Sequence, residues 1–171
     1  ALKNFLYTQA DFIRQNEIPG LLSAGNDPEK GYNGKIGIAA AAETDDPLTS
    51  NIGSLYGTAS AFLLAPHYTL QLLKNIETKF PQVRTSAGFV DAIAMGPTGP
   101  VFSNQYFGVD QASFVLSLLG KSQSYFNNYL QQNGFSSAFD SIYRSMNFNL
   151  NPVVAANPPP PALGVSAPAL Y

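Results

Sequence analysis

The chain has 171 residues, of which 45% are hydrophobic and only 12% are charged, so its size and composition are those of one folded domain and exclude global disorder. Its formal net charge of −2 offers no field that would attract nucleic acid or an anionic membrane surface, and we expect neither as a partner. No cysteine is present, which excludes disulfides, thiolate metal ligands and a cysteine nucleophile.

Two further features of the composition concern location. No apolar run reaches the roughly 18 residues that a transmembrane helix needs, so no direct membrane span is predicted. Asparagine, glutamine, serine, threonine and tyrosine supply most of the polarity that charged residues usually supply, a composition that is more typical of proteins outside the cytoplasm. The chain is therefore predicted to be extracytoplasmic, either periplasmic or secreted.

Apolar residues recur at helical spacing in five stretches of the sequence. Pro66 falls where a proline would begin a second helix within one of them, and another, 109–119, is apolar nearly all round, which predicts a buried helix. Long glycine-rich segments, 17–57 and 81–108, are predicted as loops on the same side of successive helical hairpins. The predicted fold class is mainly α, an array of antiparallel helical hairpins with helices near 2–16, 58–79, 109–119, 122–133 and 135–146.

From Asn147 onward the composition changes to asparagine, proline, alanine and valine. Its run of four prolines favours an extended polyproline II conformation and cannot form a core. We therefore divide the chain into a helical domain, 1–146, and an extended Pro-rich C-terminal arm, 147–171, which we expect to lie on another protein subunit. The residues predicted to bind that partner are Pro158, Pro159, Pro160, Pro161, Leu163, Val165, Leu170 and Tyr171.

Most catalytic constellations are missing from the sequence. His67 is the single histidine and there is no Gly-x-Ser-x-Gly elbow, which argues against a serine triad. Neither a phosphate-binding loop nor a dinucleotide fingerprint occurs. Asp45, Asp46 and Asn51 offer oxygen ligands but lack the frame of a calcium-binding loop. We predict no metal and no cofactor.

Two aspartates at opposite ends of the second glycine-rich segment, Asp91 and Asp110, have aromatic surroundings with little charge. Such an environment raises the pKa of a carboxyl group towards values that suit acid or base catalysis. A purely structural alternative is that Asp110 caps the helix that follows it, by accepting backbone amide bonds, while Asp91 ties the loop backbone. We expect the capping role for Asp110. Nearby aromatic residues could stack on sugar rings or fill the core: Tyr32, Tyr56, Phe89 and Tyr106.

Around these residues the sequence resembles the glycoamylase-like domain family, which is related to glucan hydrolases built on an (α/α)6 toroid. The resemblance covers about residues 18–146 and implies a sugar cleft lined by loops, with Asp91 and Asp110 facing it. The chain departs from the family pattern at Ile93, Ala94, Ala112 and Ser113. The motifs that carry the resemblance are, in order, Gly31-Tyr32, Gly57–Ala61 with Ala65-Pro66, Gly88–Ala92, Tyr106–Gln111 and Asn133–Phe135.

Two functions are compatible with this pattern. Only five or six helices are predicted, about half of a toroid, and polar residues of the family pattern are replaced. We therefore predict a non-catalytic accessory subunit of a larger extracytoplasmic assembly, derived from a carbohydrate-active domain and working through other protein subunits. The alternative is a fragment of a glucan-active glycoside hydrolase that uses Asp91 and Asp110 as acid/base carboxyls and binds glucan through the four aromatic residues.

Overall fold

A computed structural model of the protein describes residues 2–42, 46–120 and 122–145. Helices dominate this part of the chain, which confirms the prediction of a mainly α fold. Their bounds are α1 Leu2–Gln15, α2 Leu55–Ser60, α3 Pro66–Lys79, α4 Gly108–Leu119, α5 Ser122–Gln132 and α6 Ser136–Ser145.

The helical stretch predicted near 58–79 is divided at Pro66, where the sequence places the start of a second helix. Because proline has no backbone N–H and its ring clashes with the preceding turn, α2 gives way to a 3-10 turn, Ala61–Leu63, and α3 begins at Pro66 itself. Helix α2 starts earlier than predicted because the Ser54 hydroxyl accepts a hydrogen bond of 3.0 Å from the Gly57 amide, a typical helix cap.

Short strands occupy both segments that were predicted as loops. They form three small antiparallel sheets, and one of these joins the two segments, since β3 from the first pairs with β6 from the second. The strands are β1 Gly25–Asp27, β2 Gly31–Asn33, β3 Ile52–Ser54, β4 Arg84–Thr85, β5 Gly88–Phe89, β6 Ala92–Gly96 and β7 Gly99–Phe102, with pairs β1–β2, β4–β5 and β3–β6–β7.

The hydrophobic core lies between α1, α3 and the β3–β6–β7 sheet. Ile13 of α1, Leu72 and Ile76 of α3, and Ile93 of β6 have no exposed surface. Leu72 and Ile76 lie four residues apart, on one face of α3, as their spacing predicts.

Helix α4 is not the buried helix that its apolar sequence predicts. Its buried residues are Asp110 and Ser117, whereas Val109 is 71% exposed. Apolar side chains continue along the outer surface of α5 and α6. We call this surface the apolar face; it consists of Val109, Val115, Leu116, Leu119, Tyr125, Phe126, Tyr129, Phe135, Phe139 and Ile142. The apolar pattern predicted correctly that α4 is a helix, but the prediction that this helix is buried is wrong.

The arm at 147–171, with all of its predicted partner-binding residues, lies outside the described residues, so its conformation and contacts stay predictions. Among residues 2–42, 46–120 and 122–145, no helix has both the length and the hydropathy needed to cross a membrane.

Candidate functional site

Asp91 lies between β5 and β6, and only 1% of its surface is exposed. Its Oδ2 accepts a hydrogen bond of 2.6 Å from the backbone amide of Phe107, the residue that precedes α4. Its Oδ1 accepts another of 2.6 Å from Gln111 Nε2. Both carboxylate oxygens are therefore engaged, and Asp91 ties the start of α4 to the end of β5.

Gln111 supports this arrangement, although the sequence analysis gave it no role. Its Nε2 donates to the carbonyl oxygen of Phe89 at 2.9 Å as well as to Asp91, which uses both amide hydrogens. The signal that could have identified Gln111 is its place directly after Asp110 in the family-like Asp-Gln pair.

Asp110 is the third residue of α4 and is 5% exposed. Its Oδ2 is completely buried and has no hydrogen-bond partner among the described residues. The prediction that Asp110 caps α4 is therefore wrong, because Oδ2 accepts no amide bond and the Phe107 amide donates instead to Asp91. The Asp110 carboxyl lies against β1, where a methyl group added to Gly25 would be 3.5 Å from Oδ2.

The environment of Asp110 changes its acidity. Burial, and secondarily the negative charge of Asp91, raise the pKa of Asp110 to about 6. Burial disfavours the charged form because the protein interior solvates it poorly, and a neighbouring like charge adds to the effect. Asp110 is thus a carboxyl that still holds its proton in mildly acidic solution, as a general acid requires.

Tyr56 lies beside this carboxyl. Its hydroxyl group donates to the carbonyl oxygen of Ala24 and forms a hydrogen bond of 2.8 Å with Ser23 Oγ. Burial raises the pKa of Tyr56, and the nearby Asp110, Tyr32 and Asp91 raise it further against the opposing effect of Ser23. The fold therefore brings Tyr56, Tyr32 and both aspartates into one cluster.

The other aromatic candidates differ in exposure. Tyr32 is 71% exposed and its ring meets that of Phe107 edge-on, with 6.1 Å between centroids. Tyr106 is also exposed and shares a hydrogen bond of 3.0 Å with Thr85. Phe89 is half-buried and stacks on Phe114 of α4 at 5.1 Å. Tyr32 and Tyr106 present ring surface to solvent, whereas one face of Phe89 is covered.

The acidic segment considered for metal binding lies partly outside the described residues, since Asp45 is not among them. Asp46 forms an ion pair of 3.0 Å with Lys35, and both side chains are exposed. No group of three or more metal-ligating side chains occurs in the part of the chain that the structure describes.

Comparison with known proteins gives a structural match but none at the level of sequence. No protein-family model and no curated protein matches the chain. Two solved structures match, those of an endo-β-1,2-glucanase from Talaromyces funiculosus with sophorose and of a mutant of the same enzyme with β-1,2-glucan. Each is 17% identical with a TM-score of 0.64, and the match covers 95% of this chain and 34% of the enzyme.

This likeness concerns the fold. The part of the chain that is matched shares its fold with part of that enzyme. The chain spans about a third of the length of the enzyme it matches. Its described helices and strands, with the aspartate and tyrosine cluster between them, thus belong to a fold that a glucan hydrolase also uses.

Proposed function

We propose that the chain is the acid-bearing part of a glucan-active glycoside hydrolase, with Asp110 as the general acid. The observation that carries this proposal is the asymmetry between the two aspartates. Asp110 is buried, has an unpartnered oxygen and has a raised pKa, whereas both oxygens of Asp91 are bound to donors. No hydrogen bond would have to break before the buried oxygen of Asp110 could take up or release a proton, and Asp91 is a positioning residue.

In this role Asp110 would transfer its proton to the glycosidic oxygen while the bond from that oxygen to the anomeric carbon breaks. A water molecule would then supply the hydroxyl group at the anomeric carbon, activated by a second carboxylate. Asp91 is the carboxylate whose charge acts on Asp110, but it could attack the anomeric carbon, or deprotonate water, only after releasing Phe107 and Gln111. The second carboxylate would therefore be a residue other than Asp91.

The exposed rings support the choice of substrate class. Tyr32 and Phe107 lie next to each other, and Phe107 directly precedes the helix that carries Asp110. Aromatic rings with an exposed face pack well against the C–H groups of a pyranose. The matched enzyme is named as an endo-β-1,2-glucanase, so β-1,2-linked glucan is the first ligand to try.

We expect the chain to bind β-1,2-gluco-oligosaccharides weakly, and Tyr32→Ala to reduce the affinity about three- to tenfold, as expected for loss of one aromatic contact. Isothermal titration calorimetry measures this directly. Tyr125→Ala is the matched control, because Tyr125 is also 71% exposed but lies on α5, and it should leave the affinity unchanged. Equal losses in both variants, or no binding by the unaltered chain, would contradict the proposal.

A second candidate is the non-catalytic accessory subunit of an extracytoplasmic assembly. The observation that favours it is the apolar face of α4–α6, which offers a surface that a larger partner would bury. Helix α5 carries no charged residue, so charge repulsion from this helix would exclude few partners. This candidate predicts no affinity for glucan, and the calorimetric comparison separates the two.

A further inference from the structure

Asp110 Oδ2 has almost no accessible surface, although the neighbouring Val109 is largely exposed. The Tyr56 ring and the Asp110 carboxyl both come close to Gly25. A methyl group added to Gly25 would lie 3.2 Å from Tyr56 Cε1 and 3.5 Å from Asp110 Oδ2. The edge of the Tyr56 ring and the carboxyl oxygen therefore both lie beside Gly25, and Oδ2 itself has almost no surface accessible to water.

The position of the Tyr56 ring is fixed from its far end. Its hydroxyl group bonds with Ser23 Oγ and the Ala24 carbonyl, the two residues that precede Gly25. Residues 23–25 thus bind the Tyr56 hydroxyl group and also place backbone next to the ring. Tyr56 also lines a surface cavity of about 250 Å3, whose lining does not include Asp110. Tyr56 therefore borders this cavity and also lies close to the carboxyl.

We propose that the Tyr56 ring is a positioning element that keeps water away from Asp110 Oδ2 and thereby controls proton transfer at that carboxyl. This role extends the acid function proposed for Asp110, and its importance for catalysis rests on that proposed function. Without the ring, water would occupy its place beside Oδ2 and solvate the charged form of the carboxyl.

Few other groups act on this carboxyl. Helix α4 packs against α2, the 3-10 turn at Ala61–Leu63 and α5. Asp91 faces Asp110 from the β5–β6 connection, and the 3-10 turn contributes no titratable residue. The remaining titratable residues on these elements and on β1 are Tyr56 on α2, Tyr125 and Tyr129 on α5, and Asp27 on β1, which bonds with Glu29 and Asn33.

The test is a titration of Asp110 by carbon-13 NMR with labelled aspartate, the signal being assigned with Asp110→Asn. In Tyr56→Ala we expect the acid dissociation constant of Asp110 to rise at least tenfold, so that the carboxyl titrates at least one pH unit lower. Tyr56→Phe keeps the ring and should change the constant less than twofold. Tyr32→Ala, which removes an exposed ring of the same size, should also change it less than twofold.

Two results would overturn the proposal. One is a folded Tyr56→Ala variant whose constant stays within twofold of the native value. The other is a Tyr56→Phe variant that shifts as far as Tyr56→Ala, which would assign the effect to the hydroxyl bonds. If Tyr56→Ala does not fold, Tyr56→Leu retains apolar bulk without reaching Gly25 and should raise the constant at least threefold. No sugar is present, so the outcome is independent of whether the chain acts on glucan.

Discussion

Replacing Gly53 by alanine should destabilise the protein by about 3 kcal/mol or more, among the larger effects of single substitutions. Gly53 is in β3, opposite Ile93 of β6, and the backbone of Pro19 lies directly against it. A β-carbon at this position would overlap the Pro19 carbonyl group and approach the Gly20 nitrogen to 2.9 Å. The nearest atoms all belong to the backbone of Pro19 and Gly20, so no flexible side chain can move aside and the strand itself must shift.

Chemical denaturation with urea measures this loss. Gly108→Ala is the matched control, because a methyl group at Gly108 meets nothing within 4 Å and alanine suits the first turn of a helix. The control should lie within about 0.5 kcal/mol of the native free energy of unfolding. A Gly53→Ala variant as stable as this control would show that β3 does not pack on Pro19 as described.

The second large effect is the dependence of stability on the charge of Asp110. The pKa of this carboxyl is about 6 in the folded protein, above its ordinary value of 3.8, so the folded state binds the proton more tightly. Unfolding free energy therefore falls as the pH rises from about 4 to above 6. Asp110→Asn removes this cost, and between pH 4 and pH 8 its stability relative to the native chain should improve by about 2 to 3 kcal/mol.

Denaturation curves at the two pH values measure this change. Burying the asparagine amide has a cost that does not depend on pH, and this cost cancels when the two free energies of unfolding are subtracted. Asp91→Asn is the comparison variant. It weakens a charge-assisted bond to the Phe107 amide or to Gln111 and should be destabilising at pH 8. A relative stability of Asp110→Asn that does not change with pH would mean that Asp110 is hydrated and titrates normally.

The helices were predictable because their signals are local. The apolar spacing in α1 and α3 repeats over 14 residues in each helix, and Pro66 marks the start of α3. The strands are two to five residues long, too short for alternation to be recognised. Their pairing depends on contacts such as Gly53 with Ile93, 40 positions apart in sequence, which no local pattern encodes.

The sequence pointed to Asp91 and Asp110 but not to the contacts that each makes. Their aromatic surroundings with little charge drew attention to both, yet the capping role was assigned to Asp110, whereas Asp91 binds the Phe107 amide. Asp110 is close to the start of α4 in sequence, whereas Asp91 reaches the Phe107 amide from 16 residues away through the fold. The burial of Asp110 depends on Tyr56 and Gly25, which approach from two other elements.

The central claim, that Asp110 is the proton donor of a glucan site, is tested most directly by following the Asp110 carboxyl signal in NMR while β-1,2-gluco-oligosaccharide is added. A bound sugar would exclude further water and place an oxygen atom next to the carboxyl. We therefore expect the Asp110 signal to shift in a saturable manner, together with the ring signals of Tyr32 and Phe107, and the Tyr125 signals to stay in place. An Asp110 signal that does not change at saturating oligosaccharide, or that changes only together with Tyr125, would contradict this account.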